Sequence, residues 1–187
     1  MKETLNVLAG ILVVSGFLPY IYTVVRGRTT PSKASWVIWA SLDVLAAAGM
    51  YASGSLNGQI VGAAAGAWTV ALLALWYGER GWTSLDKMCL LGGGTGIVLW
   101  LTMGSPLAAI ITAMVIIIVG GIPTLVAAWK DPRRENRLAW TLFLFSSFCA
   151  IPAIPQWTVE DALPPFTFAA YQTAMMGILF LRSRPTT

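Results

Sequence analysis

The sequence predicts an all-α membrane protein: seven transmembrane helices grouped three, one and three, with the N-terminus outside and the C-terminus inside. Three observations carry that expectation. Of 187 residues, 57% are hydrophobic and only 11% charged, against roughly a quarter charged in a soluble domain, and the mean hydropathy is +0.71. The apolar residues arrive in blocks of about 20, the length that crosses a hydrocarbon core ~30 Å thick. The basic residues gather in alternate loops between those blocks. Length therefore counts spans here rather than soluble domains.

The first span reads Leu5–Val25 and is closed by Gly27 and Pro31. No small-residue cleavage site follows it, so it is expected to stay in the chain rather than leave as a signal peptide. The second, Lys33–Tyr51, ends in the turn-forming stretch from Ser53 to Gly58, and the third is Gln59–Tyr77. Thr83 or Ser84 can cap the fourth, Leu85–Met103, with Asp86 in its first turn facing the positive end of the helix dipole. Gly104-Ser105-Pro106 breaks the chain before the fifth span, Pro106–Trp129. Pro152 and Pro155 end the sixth, Leu138–Ile154, and the seventh is Pro165–Leu181. Pro106, Pro164 and Pro165 sit where proline is tolerated, at helix starts.

Eleven of the twelve basic residues fall on one side of this arrangement: Arg26, Arg28, Lys33, Arg80, Lys87, Lys130, Arg133, Arg134, Arg137, Arg182 and Arg184. Only Lys2 falls on the other, where Glu160 and Asp161 lie after the sixth span. Basic loops favour the cytoplasm, which sets the orientation and points to a multi-pass protein of the cell membrane. The net charge of +4 thus reports topology rather than a nucleic-acid partner. Trp76, Trp82 and Trp129 at the inner boundary and Trp100 and Trp157 at the outer one fit interfacial belts.

Other chemistries are excluded by what the composition lacks. There is no histidine, and Cys89 and Cys149 fall in or beside different spans, so neither a metal set nor a disulfide framework is expected. No cluster of nucleophilic and acid–base residues with plausible mutual geometry is visible, so an enzyme is not expected, nor is a cofactor. Seven helices would suit a retinal protein, but the last span has no lysine for a Schiff base.

An internal repeat organises the spans. Gly16-Phe-Leu-Pro-Tyr-Ile-Tyr-Thr-Val-Val-Arg26 is similar to Gly120-Gly-Ile-Pro-Thr-Leu-Val-Ala-Ala-Trp-Lys130 at an offset of 104 residues. The same offset brings Trp36 onto Trp140 and Ala46 onto Ala150 without a gap. It maps the first three spans onto the last three and leaves the fourth over. Three helices is an odd number, so two units sharing one orientation need an extra crossing between them, and the fourth span with its Gly92-Gly93-Gly94 run supplies it. The expected divisions are a first unit over 1–80, a linker helix over 81–104 and a second unit over 105–187. Parallel repeats are an established transporter plan, with the substrate site at the repeat interface.

A proline in the first span followed by a basic loop, a tryptophan early in the second, and a three-one-three plan resemble the PQ-loop superfamily, which includes the SWEET sugar transporters. The resemblance spans nearly the whole chain in architecture. The superfamily's Pro-Gln pair reads Pro19-Tyr20 in the first unit and Pro123-Thr124 in the second. The chain also resembles a group of bacterial seven-helix proteins with Pro-x-x-x-Ser-Trp-x-x-Trp leading into the second span, here Pro31 to Trp39. The resemblance implies alternating access with Pro19 and Pro123 as hinges; substrate identity does not transfer.

Asp43 is the one ionisable acid or base well inside a span. A charge near the bilayer centre costs ~2.5–3.5 kcal/mol on insertion scales, so it is expected to face the interior. It is protonated, hydrogen-bonded within the bundle, or open to water and a cation. Trp36, Trp39 and Asp43 share one helix face by steps of three, four and seven. The repeat places Trp140, Phe143 and Ser147 at the matching places, so an acid stands in one half only. Trp36 and Trp140 read equally well as interfacial anchors or as cavity lining; Trp39 lies deeper. Trp68, and Tyr171 beside Gln172 in the seventh span, carry polar groups at bilayer depth that want partners or water. In the transporters the chain resembles, the third and seventh spans contribute such substrate contacts. Gly58, Gly62 and Gly66 form a four-residue ladder suited to close helix packing.

The expected function is a small-solute transporter or facilitator with a central site between the two units, embedded in the lipid bilayer and handling a small polar solute, a proton or a cation. The alternative is a membrane receptor or assembly partner acting through its cytoplasmic loops, especially Lys130 to Arg137. Dimers and trimers are both open.

Overall fold

The computed structural model describes residues 1–79 and 104–182 and, between them, Ser84, Lys87, Leu91, Gly94, Val98 and Thr102. The described residues form no strand. Six described α-helices follow in order: α1 (Lys2–Val25), α2 (Lys33–Ala52), α3 (Gly58–Tyr77), α4 (Pro106–Lys130), α5 (Arg137–Ala153) and α6 (Val159–Leu181), with a short 3-10 turn at Pro132–Arg134 before α5. Helices α1 to α4 are long and apolar enough to cross a membrane, and α5 is apolar but 17 residues long. Most of the expected fourth span and linker, including Trp82, Trp100, Cys89, Gly92 and Gly93, lies outside the described residues.

Side-chain caps set most helix starts. Ser32 Oγ accepts from the Ser35 N–H at 3.3 Å and Asn57 Oδ1 from Ile60 at 2.9 Å. Ser105 Oγ and Asn136 Oδ1 do the same for α4 and α5, at 3.3 and 3.0 Å. Each satisfies an amide the helix itself leaves open. The last helix corrects the sequence reading. It begins at Val159 rather than Pro165, because Thr158 caps the Asp161 N–H and Glu160 and Asp161 sit in the first turn. Pro164 and Pro165 therefore lie inside the helix, early in its length, rather than at its start.

The helices close into a circuit. Helix α3 lies between α1 and α2, α6 lies between α4 and α5, and the two trios join where α1 meets α5 and α2 meets α4. Glycine makes the seams tight. A Cβ on Gly62 would stand 2.6 Å from Val13 Cγ1, and one on Gly66 would overlap the Phe17 ring, so the α3 ladder is the notch into which α1 packs. Across the two joins, Gly16 receives Phe143 and Gly120 receives Ile38, each 2.6 Å from where a Cβ would be. Ser146 Oγ donates to the Ala9 carbonyl at 2.8 Å, tying α5 to α1 within the core. Large apolar side chains such as Leu18, Leu72, Val115, Phe148 and Phe180 point outward from the bundle.

At the end that carries the basic loops, the chain segments interlock. Asn136 Nδ2 donates to the Pro19 carbonyl at 3.0 Å and to Thr23 Oγ1 at 3.1 Å, while the Thr30 N–H reaches the Arg134 carbonyl at 3.3 Å. Arg134 pairs with Asp131 at 3.3 Å and Glu79 at 3.8 Å.

Candidate functional site

Between the two trios lies a cavity of about 70 Å³. That exceeds the ~10–15 Å³ one water requires. Its walls come from both trios: Val13 and Phe17 of α1, Trp36, Trp39 and Asp43 of α2, Gln59, Ala63 and Ala67 of α3, Ile117 of α4, Trp140 and Phe143 of α5, and Phe168, Tyr171 and Gln172 of α6.

The aromatic side chains form a continuous stack at the basic end of this space. Trp36 lies 5.0 Å from both Tyr20 and Trp39, Trp39 lies 5.2 Å from Tyr171, and Trp140 lies 5.9 Å from Tyr171. Trp39 and Trp140 meet edge-on at 6.3 Å. Edge and tilted contacts of this kind hold rings in fixed orientations. Each polar tip is anchored: Trp36 Nε1 donates to Tyr20 Oη at 3.2 Å, Trp39 Nε1 to the Ile117 carbonyl at 3.0 Å, and Tyr171 Oη to the Gly121 carbonyl at 2.8 Å. Gly121 admits this approach because a Cβ there would lie 2.9 Å from Trp39 Cζ2 and overlap Tyr171.

Away from the stack the cavity is bounded by amides. Gln59 Nε2 donates to Ser147 Oγ at 2.7 Å. Gln172 satisfies its surroundings with its amide nitrogen turned to Ser147 Oγ at 2.7 Å and to the Phe143 carbonyl at 2.9 Å. Ser147 thus joins α3 to α6 from behind the cavity wall. Asp43 is only 4% exposed, and its Oδ1 has no hydrogen-bond partner. Among the described residues, no lysine or arginine lines the cavity.

Of the residues expected from the sequence, Asp43, Trp39, Tyr171 and Gln172 come together in the lining, and Ser147 bonds to two residues of it. Trp36 and Trp140, open between anchor and lining, are buried and line it. Trp68 is a correction. It is 43% exposed on the outer surface of α3, because its neighbour Ala67 takes the inward place and one residue turns the helix by about 100°. Pro19 and Pro123 lie inside α1 and α4, Pro123 two residues beyond the carbonyl that holds Tyr171.

Sequence reasoning missed Gln59, read as the first residue of its span, and Glu135, read only as part of a basic loop. Glu135 is 7% exposed and accepts from Trp140 Nε1 at 2.9 Å. Burial pushes its carboxyl up to about 7 from the ordinary 4.5; the hydrogen bonds from Trp140 and Tyr20 oppose that shift and the nearby Glu79 charge adds to it. Between those two values the folded chain holds a proton that the unfolded chain has released, so this group's contribution to stability is complete below pH 4.5 and declines as pH rises to about 7. The thermal midpoint of the purified protein should therefore fall across that interval, and Glu135→Gln should flatten the slope. An equally steep slope in the variant would assign it to another group.

Compared with family models, with curated proteins and with solved structures, the chain matches none, so what the site does is argued from its geometry.

Proposed function

We propose that this chain is a small-solute transporter or facilitator of the cell membrane, with its binding site in the cavity between two three-helix units. The observation that carries the reading is a walled cavity at the junction of the two trios, built around a buried carboxylate oxygen that the protein leaves unpaired. A structural carboxylate would have been given a donor.

The packing supports a parallel repeat. Exchanging α1 with α4, α2 with α5 and α3 with α6 leaves the circuit of neighbours unchanged, as the offset of 104 residues requires. The repeat-related Gly16 and Gly120 both receive a side chain from the other trio's second helix. These features fit the resemblance to the PQ-loop superfamily, a seventh span between the trios, and an N-out, C-in orientation with the basic end in the cytoplasm. In that frame the cavity is shut toward the cytoplasm by the aromatic stack and by the Asn136 contact across the α1–α5 join. Opening requires that contact to part, and Pro19, whose carbonyl Asn136 holds, is the natural hinge; Pro123 is its counterpart in α4. The receptor reading finds less support, since Glu135 and Arg134 of the loop it would use are turned onto the protein itself.

The test is reconstitution into liposomes with a broad panel of labelled solutes, alongside spin labels on the basic ends of α1 and α5. Solute-driven flux with a change in the interlabel distance is expected. No flux for any solute, with Asp43→Asn altering neither binding nor thermal midpoint, would remove the proposal.

A further inference from the structure

The charge character of the described cavity lining is one-sided. Every donor on the lining tryptophans and on Tyr171 already serves a protein acceptor: Tyr20, the Ile117 carbonyl, Glu135 and the Gly121 carbonyl. The amide nitrogens of Gln59 and Gln172 both donate to Ser147, Gln59 with one of its two N–H groups. Among the described residues of the lining, the fully buried side-chain atoms without a partner are two oxygens, Asp43 Oδ1 and Gln59 Oε1. Among the described residues, the lining therefore offers a guest a carboxylate, an amide oxygen and aromatic faces, and no positive side chain.

That asymmetry selects among guests. An anion would be placed beside the Asp43 carboxyl with no positive side chain of the described lining to offset its charge, so it would enter desolvated and unmatched. A neutral hydroxyl compound could donate to Asp43, but it would bring no charge to the carboxylate or to the indole faces. A cation bearing N–H groups meets its complement in both respects, since a charge-assisted bond to a carboxylate is stronger than a neutral one and indole faces attract positive charge. Size adds a limit: at about 70 Å³, with Val13, Ala63, Ala67 and Ile117 in the walls, the space suits a short apolar body behind one polar head.

We infer that the cavity binds a small organic cation, a primary or secondary alkylammonium, with its N–H groups on Asp43 Oδ1 and Gln59 Oε1 and its charge against the Trp36 and Trp39 rings. The inference rests on the reading of this cavity as a solute site, and it names the solute's chemical class.

The test uses the full chain in lipid nanodiscs. n-Propylammonium is compared with 1-propanol, the neutral analogue, with propanoate, the anion, and with tetramethylammonium, a cation without N–H. Tryptophan fluorescence and thermal shift report binding. Propylammonium should bind saturably and roughly tenfold or more tighter than propanol, the scale of one charge-assisted contact. Propanoate should not bind, and tetramethylammonium should fall between the two. Asp43→Asn, which keeps shape while removing charge, should abolish the preference for ammonium over alcohol; its unliganded thermal midpoint establishes that it folds. Gln59→Leu, which removes the second acceptor, should reduce the advantage of propylammonium over tetramethylammonium. Equal binding of propylammonium and propanol, or a preference that survives Asp43→Asn, overturns the inference. Saturable ammonium binding without flux would uphold it and remove the transport reading. Flux of a neutral solute with no ammonium binding would do the reverse.

Discussion

Alanine in place of Gly66 should sharply reduce the yield and thermal midpoint of the folded protein, although alanine is the better helix former by ~1 kcal/mol. The added methyl overlaps the Phe17 ring. Phe17 has little freedom to withdraw, because it is packed 4.8 Å from Phe143 and 6.0 Å from Trp36. Overpacking of this kind costs about 1–3 kcal/mol, and here the displaced ring belongs to the cavity wall, so the strain passes into the site. Gly177→Ala is the control. Gly177 is also helical, and nothing stands within 4 Å of where its Cβ would be, so the same exchange there should be neutral or stabilising. Thermal midpoints by fluorescence-detected size exclusion would compare the pair. Equal midpoints would mean that the α1–α3 seam is looser than the structure has it.

The second large effect is expected at Trp39. Its ring contacts Trp36, Trp140 and Tyr171, and its indole N–H is tied to the Ile117 carbonyl, so it holds the two trios together at the α2–α4 join. Trp39→Ala should cost about 3–5 kcal/mol through lost burial and the hole it leaves. Trp39→Phe keeps most of the ring and forfeits one hydrogen bond, a loss nearer 1 kcal/mol. Thermal unfolding in detergent should rank wild type, phenylalanine and alanine in that order. If alanine unfolds with wild type, the aromatic stack does not join the trios.

The contrast between Asp43 and Trp68 explains how far the sequence could be read. A carboxylate at mid-span has one tolerable direction, inward, and the three-and-four spacing to Trp39 and Trp36 carried those rings to the same face. Trp68 has no such constraint. Lipid and protein interior are both apolar, so a large ring at mid-span is acceptable on either side, and the helical period that separates wet from dry in a soluble protein marks nothing here. Gln59 was hidden by its place at a helix start, where polar residues are ordinary. Glu135 and Asn136 stand among arginines, and a polar residue in a basic loop carries no sequence mark that separates a buried role from a solvated one. The start of α6 was legible in principle: Thr158 followed three residues later by Asp161 is a capping signature, but the paired prolines drew the boundary six residues too late.

The closure of α1 against α5 has a consequence for how the protein is made. The Ser146 hydroxyl that secures α1 at Ala9 lies 137 residues further along the chain. At ~5–20 residues per second, ribosomal synthesis delivers it on the order of ten seconds after α1 has emerged. Through that interval the nascent chain presents an open arc with an unfilled glycine notch at Gly16, whose occupant Phe143 comes late, whereas Ile38 is already made when Gly120 emerges. The notch that makes the α1–α5 join tight is thus the later of the two to be filled.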